Sequence, residues 1–157
     1  MDYFSPAPLG KGEGGSVELQ NGKINVTFRS DDFANPAKGK FDPNIITTAI
    51  AHEGSHVADA QDYLRTGVSV TDYTTEYKGN FVESVMAEAT GYSYYTVKLT
   101  TGGAIPTYMS SWTEADKKTL SVVKQKRDEA VKEVVTRPTT KGGLYGYSPN
   151  STTPAFP

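Results

Sequence analysis

His52 and His56 stand four residues apart, with Glu53 directly after the first, inside a stretch written for one long helix. They are the only two histidines of the chain, and there is no cysteine. Asp42 is a good N-cap, Pro43 suits the first helical position, and Gly67 can supply a left-handed C-cap. These signals predict a helix from 42–43 to about Thr66. At about 100° per residue, Ile45, Ala49, His52, His56, Ala60 and Tyr63 fall on one stripe, so both imidazoles face the interior. Two buried imidazoles beside a carboxylate need partners for every polar atom. A shared metal ion satisfies that need, and two hydrogen-bonded core histidines are the bland alternative. Two histidines placed at random, with a Glu after the first, take this arrangement in roughly 1 of 1,400 cases.

The remaining composition narrows the setting. A chain of 157 residues fits one domain and can bury a core without disulfides. With 16 basic and 18 acidic residues the net charge is -2, which makes no electrostatic case for nucleic acid or an anionic membrane. No run approaches the roughly 18 apolar residues that span a bilayer, and the N-terminus lacks the basic and apolar regions of a secretory leader. The expectation is a soluble chain, with signal-independent secretion, or membership of a larger secreted protein, still compatible.

The layout predicts an α+β fold of one domain. Residues 1–16 read as a poorly ordered lead-in. Val17-Glu18-Leu19 and Ile24-Asn25-Val26-Thr27-Phe28 alternate around Asn21-Gly22, a hairpin signal for a small N-terminal sheet. Residues 29–40 form a polar loop. Beyond the histidine helix, 68–77 is rich in Val, Thr and Tyr and reads as a short strand or extended loop. A second helix is predicted from Asn80, where Asn80 and Glu83 have capping-box spacing, to about Thr100. A third runs from Thr113 to about Thr136, before Pro138. Residues 137–157 are rich in Pro, Gly, Ser and Thr and read as loose or draped over the surface.

Catalytic zinc takes three protein ligands and a water. With the histidines used and thiolate absent, the third ligand is a carboxylate or, less commonly, a tyrosine. Asp59, Asp62, Asp72, Glu83 and Glu88 compete. Asp62 points about 100° from the histidine stripe if the helix continues through Asp59. On the second helix Phe81, Val85, Glu88, Tyr92, Thr96 and Leu99 share a stripe whose one charge is Glu88. Glu83 lies on the opposite face and has a local use as a solvated cap. Glu88 is therefore the preferred third ligand, with the others open. Its bland alternative is a salt bridge to Arg or Lys.

The segment Thr48-Ala49-Ile50-Ala51-His52-Glu53-Gly54-Ser55-His56 resembles the active-site helix of the zincin (HExxH) metallopeptidases. Asp59 stands where metzincins carry glycine, and the surroundings of Asp72 match the aspzincin pattern poorly. The chain is most similar to a minimal gluzincin, like the small metallopeptidases and HExxH toxin domains of bacteria. In the thermolysin-like branch an Asp four residues after the ligand Glu orients a zinc histidine. The corresponding slot after Glu88 is Tyr92, and Asp59 is the other candidate for that supporting role. No histidine remains for the oxyanion, which leaves a tyrosine (Tyr73, Tyr77, Tyr145 or Tyr147), an arginine, or no such group.

The resemblance implies a zinc peptidase acting on peptide or protein substrates. His52, His56 and Glu88 would hold Zn²⁺, and Glu53 would take a proton from the attacking water and pass it to the leaving amine. Two other readings stand beside it. In one, the Tyr-rich tail at Leu144-Tyr145-Gly146-Tyr147 fills the cleft and keeps the domain latent. In the other, the chain is a non-catalytic interaction module.

Overall fold

The computed structural model describes residues 15–28, 43–90, 96–98, 104–106, 120–141, 143 and 145–157. Its order is a β-hairpin, two helices, a second small hairpin and a further helix, an α+β layout. The lead-in before Gly15, the loop at 29–40, the cap Asp42, the start of the third helix at Thr113, Tyr92 and Leu144 lie outside the described residues, as do the side chains of Ile45, Thr96 and Val97.

Strands β1 (Gly15–Gln20) and β2 (Lys23–Phe28) pair antiparallel, with Val17 opposite Val26 and Leu19 opposite Ile24. Asn21 and Gly22 form the two-residue turn, both at positive φ (53° and 70°). That turn matches the right-handed twist of the strands, and Asn-Gly is the pair that adopts it at least cost. Val17, Leu19, Ile24 and Val26 are half-buried while Glu18, Gln20, Lys23 and Asn25 are exposed. The hairpin packs against α1, the helix Pro43–Thr66.

Helix α1 ends as its sequence predicts. Gly67 takes φ 70° and its N–H bonds to the Tyr63 carbonyl at 2.8 Å. Along its inner side lie Thr48, His52, Glu53, His56, Asp59 and Ala60, all buried.

The next helix departs from expectation. Helix α2 spans Asp72–Thr90 and so begins eight residues before Asn80. Thr71 is its N-cap: the Thr74 N–H donates to Thr71 Oγ1 at 3.2 Å, and the Thr75 N–H donates to the Thr71 carbonyl at 3.0 Å. A capped start packed along α1 overrides the weak strand preference of the Val, Thr and Tyr residues. At its other end α2 stops ten residues short of Thr100. Strand β3 (Thr96–Lys98) instead pairs antiparallel with β4 (Ala104–Pro106), Val97 opposite Ile105.

Helix α3 (Leu120–Thr136) packs on α2 and buries Ala130, Val131, Val134 and Val135. Among the described residues the apolar core is small. The largest of the described side chains that are fully buried are Val131, Val135, Thr48 and Ser84.

The C-terminal segment is tied down over the junction of α1 and α2. The Ala155 N–H bonds to the Val70 carbonyl, and the Asp72 N–H to the Thr153 carbonyl, each at 2.9 Å. Phe156 is buried and stacks on Tyr63 with centroids 6.1 Å apart. Its N–H donates to Ser69 Oγ, and the Tyr63 hydroxyl donates to the Pro157 carbonyl. Tyr145 and Tyr147 stack on each other, and the Tyr147 N–H bonds to the Val135 carbonyl at the end of α3.

Candidate metal centre

The site is built where α1 and α2 run against each other. From α1 come His52 and His56, one turn apart and 7% and 8% exposed. Their rings meet edge to face with centroids 4.8 Å apart. From α2 come Thr75, Glu76 and Glu83, spaced so that a 3.6-residue period places them along the side facing α1.

Each histidine has its Nδ1 held by α2. His52 Nδ1 lies 3.0 Å from Glu83 Oε2, and His56 Nδ1 lies 2.7 Å from Thr75 Oγ1. A carboxylate only accepts, so His52 must carry a proton on Nδ1. A neutral His56 that donates Nδ1–H to Thr75 keeps its lone pair on Nε2. Both Nε2 atoms then turn toward one carboxylate. His52 Nε2 is 3.5 Å from Glu76 Oε2, and His56 Nε2 is 3.7 Å from Glu76 Oε1.

Those two distances are longer than formed hydrogen bonds, and Glu76 Oε2 is buried without a hydrogen-bond partner. They come closer to another geometry. Ligand atoms 2.0–2.1 Å from a tetrahedral ion stand about 3.3–3.4 Å from one another. The three side chains offer ligand atoms within 4.8 Å of each other, and among the described residues no other His, Asp or Glu trio does so. Two imidazole nitrogens and a carboxylate are a donor set suited to Zn²⁺, with a fourth position left for water. The residues present therefore fit such an ion.

The electrostatics are those of the site without an ion. Burial by itself disfavours the His52 imidazolium, but the carboxylates of Glu76 and Glu83 outweigh it and hold its pKa up at about 10. For His56 burial wins over Glu76, and its pKa is lowered. Without an ion, the interface holds one positive ring against Glu76 and Glu83. Glu53 and Asp59 are buried nearby on α1, and Lys78 answers Asp59 with an ion pair at 2.5 Å. Buried carboxylates in this number demand cations.

The remaining predicted site residues are placed as follows. Glu53 is buried beneath the start of β1: a Cβ added to Gly15 would come within 2.7 to 2.9 Å of its Cγ, Cδ and Oε1. Asp59 pairs with Lys78 and contributes charge near His56. Asp62 is exposed and pairs with Arg65. Asp72 sits at the start of α2 and bonds the Tyr73 N–H at 2.6 Å. Glu83 is no solvated cap, because α2 has already begun about three turns earlier; it is buried on His52.

Glu88 is not brought to the histidines. It forms an ion pair with Arg127 of α3, and the Arg127 guanidinium lies over the Phe81 ring, 5.7 Å from its centroid. Tyr73 and Tyr77 also belong to that side. They stack in sequence with Phe81 at 6.1 and 6.2 Å, and the Tyr77 hydroxyl donates to Asp128 at 2.5 Å. Burial and that acceptor push the Tyr77 pKa up, so this phenol stays neutral.

Glu76, the third member of the cluster, does not emerge from the sequence, because 68–77 reads as a strand or loop. The available signal was the spacing Glu76, Gly79, Glu83, once Thr71 is taken as the helix start.

No family model, no curated protein and no solved structure matches this chain.

Proposed function

We propose that His52, His56 and Glu76 hold a zinc ion and that the chain is a zinc-dependent peptidase with Glu53 as general base. The observation that carries the metal reading is the convergence of both Nε2 atoms on the Glu76 carboxylate while both Nδ1 atoms are held by Glu83 and Thr75. Hydrogen-bonded core histidines would not leave the buried Glu76 Oε2 beside the His52 ring nitrogen without a bond. The supporting carboxylate on His52 comes from Glu83, seven residues after the ligand, rather than from the slot four residues on, which is Asn80.

Zinc in such a site lowers the pKa of a water and polarises a carbonyl. The protein's own groups do the rest. Glu83 and Thr75 fix the tautomers and ring angles, which raises ligand basicity. Glu53 follows His52 on α1 and is shielded by β1, so its carboxylate works out of bulk water. It takes a proton from the attacking water and returns it to the leaving amine.

A second reading draws on the thin apolar core: an ion stapling α1 to α2 without turnover. One experiment separates the two. Metal analysis of zinc-reconstituted, dialysed protein should give about one zinc per chain. Glu53→Gln should keep that metal and abolish cleavage of an unstructured protein substrate followed by mass spectrometry. Absence of stoichiometric metal defeats both readings. Full metal with equal cleavage, or none, in wild type and Glu53→Gln leaves the staple.

A further inference from the structure

Gly79 is the other α2 residue that meets a histidine, and nothing in its backbone requires glycine. It lies in the interior of α2, and the glycines at positive φ are Gly22, Gly67 and Gly146. A glycine inside a helix lowers its stability relative to alanine. The reason for it here is room. A Cβ at position 79 would lie 2.8 Å from His52 Nε2, 2.9 Å from Cδ2 and 3.0 Å from Cε1. Three nearly equal distances place that carbon over the face of the ring, not in line with the Nε2 lone pair. An added methyl would not occupy the ion's position. It would push the ring off its plane.

The ring has no slack to accept the push. Its Nδ1 is bound to Glu83, its edge meets His56, and Glu76 faces its Nε2. Glu76, Gly79 and Glu83 lie three and four residues apart, so one stripe of α2 provides a ligand, a bare backbone and a supporting carboxylate. Gly54 offers the contrast. It too is helical, but it is exposed and a Cβ there meets nothing within 4 Å.

We infer that Gly79 is a positioning residue of the metal centre: its missing side chain lets α2 lie against the His52 ring face and sets the angle at which Nε2 meets the ion. The metal part of this inference rests on the reading of His52 as a ligand, and the contact itself does not.

The test is a double-mutant cycle on the full chain, with metal measurements beside it. In metal-free protein, Gly79→Ala should lower the Tm when His52 is present. In a His52→Ala background the ring is gone, and the same substitution should raise the Tm through its better helix propensity. A shift of the same sign and size in both backgrounds overturns the contact. With metal, Gly79→Ala should weaken zinc affinity 10- to 100-fold, as loss of a supporting group does. It should also alter the visible spectrum of the Co²⁺-loaded protein, while Gly54→Ala leaves both unchanged. Wild-type affinity and spectrum in Gly79→Ala overturn the positioning role. If wild type itself takes up no Zn²⁺ or Co²⁺, the functional reading and the positioning role fall together, and the cycle still decides the contact. Should Gly79→Ala not fold alone, its folding in the His52→Ala background supports the clash, and failure in both overturns it.

Discussion

The two faces of α2 are made of opposite materials. Toward α1 it presents Thr75, Glu76, Gly79 and Glu83, which are small or polar, against two histidines. Toward α3 it presents the stacked rings of Tyr73, Tyr77 and Phe81, with Arg127 over Phe81. The second face is how helices ordinarily hold together, by aromatic area and ion pairs at its margin. The first buries groups whose desolvation is costly and returns little by apolar contact. A bound ion would offset part of that cost. The contrast teaches that the candidate metal centre lies on the polar face of α2 and not on its aromatic one.

The largest expected effect follows from that placement. Zinc at a hundredfold excess over its Kd should stabilise the chain by about 2.7 kcal/mol. For a domain of this size that is a Tm rise of roughly 5–10 °C. Glu76→Ala should abolish the rise and the binding with it. A zinc-dependent Tm in Glu76→Ala equal to that of wild type would remove Glu76 from the ligand set.

The same contrast explains what could be read from the sequence. The first hairpin and α1 were legible because Asn21-Gly22, Pro43 and Gly67 act through local backbone chemistry. His52, Glu53 and His56 were legible because their spacing is itself the geometry. The proposed third ligand was not. Hydrophobic periodicity assumes that the buried face is the apolar one, and it selected the stripe of Phe81, Val85 and Glu88. Val85 is in fact 37% exposed, and Glu88 leans to Arg127. A face that buries donors inverts the rule. The start of α2 was hidden for a second reason: the Thr71 cap competes with a run of β-branched residues, and packing against α1 decides between them.

Next in size is the clasp at the α1–α2 junction. Segment 153–156 bonds Ser69, Val70 and Asp72, and so holds the first turn of α2, which carries Thr75 and Glu76. Phe156→Ala should cost about 2–3 kcal/mol in chemical denaturation. Were the tail an inhibitor filling the cleft, its removal would raise cleavage. With the tail as a clasp, deleting residues 153–157 lowers both stability and zinc affinity. Higher activity in the truncated chain would restore the latent reading.

Smaller again is the support on His52. Glu83→Gln keeps the shape and a hydrogen bond acceptor but removes the charge. Zinc affinity should fall 10- to 100-fold, as measured against a competing chromophoric chelator. An affinity unchanged within twofold would show that Glu83 serves packing alone.

Glu88→Ala is the smallest change and the sharpest check on the comparison. The carboxylate is partly exposed, so its pair with Arg127 should contribute only about 0.5–1 kcal/mol. Zinc affinity and stoichiometry should stay at wild-type values, because the substitution acts on the aromatic face. The pair of variants thus reads the two faces independently: Glu76→Ala changes the metal, and Glu88→Ala changes only the urea midpoint. If Glu88→Ala weakens zinc as Glu76→Ala does, the faces are coupled through α2, and their separation as independent interfaces fails.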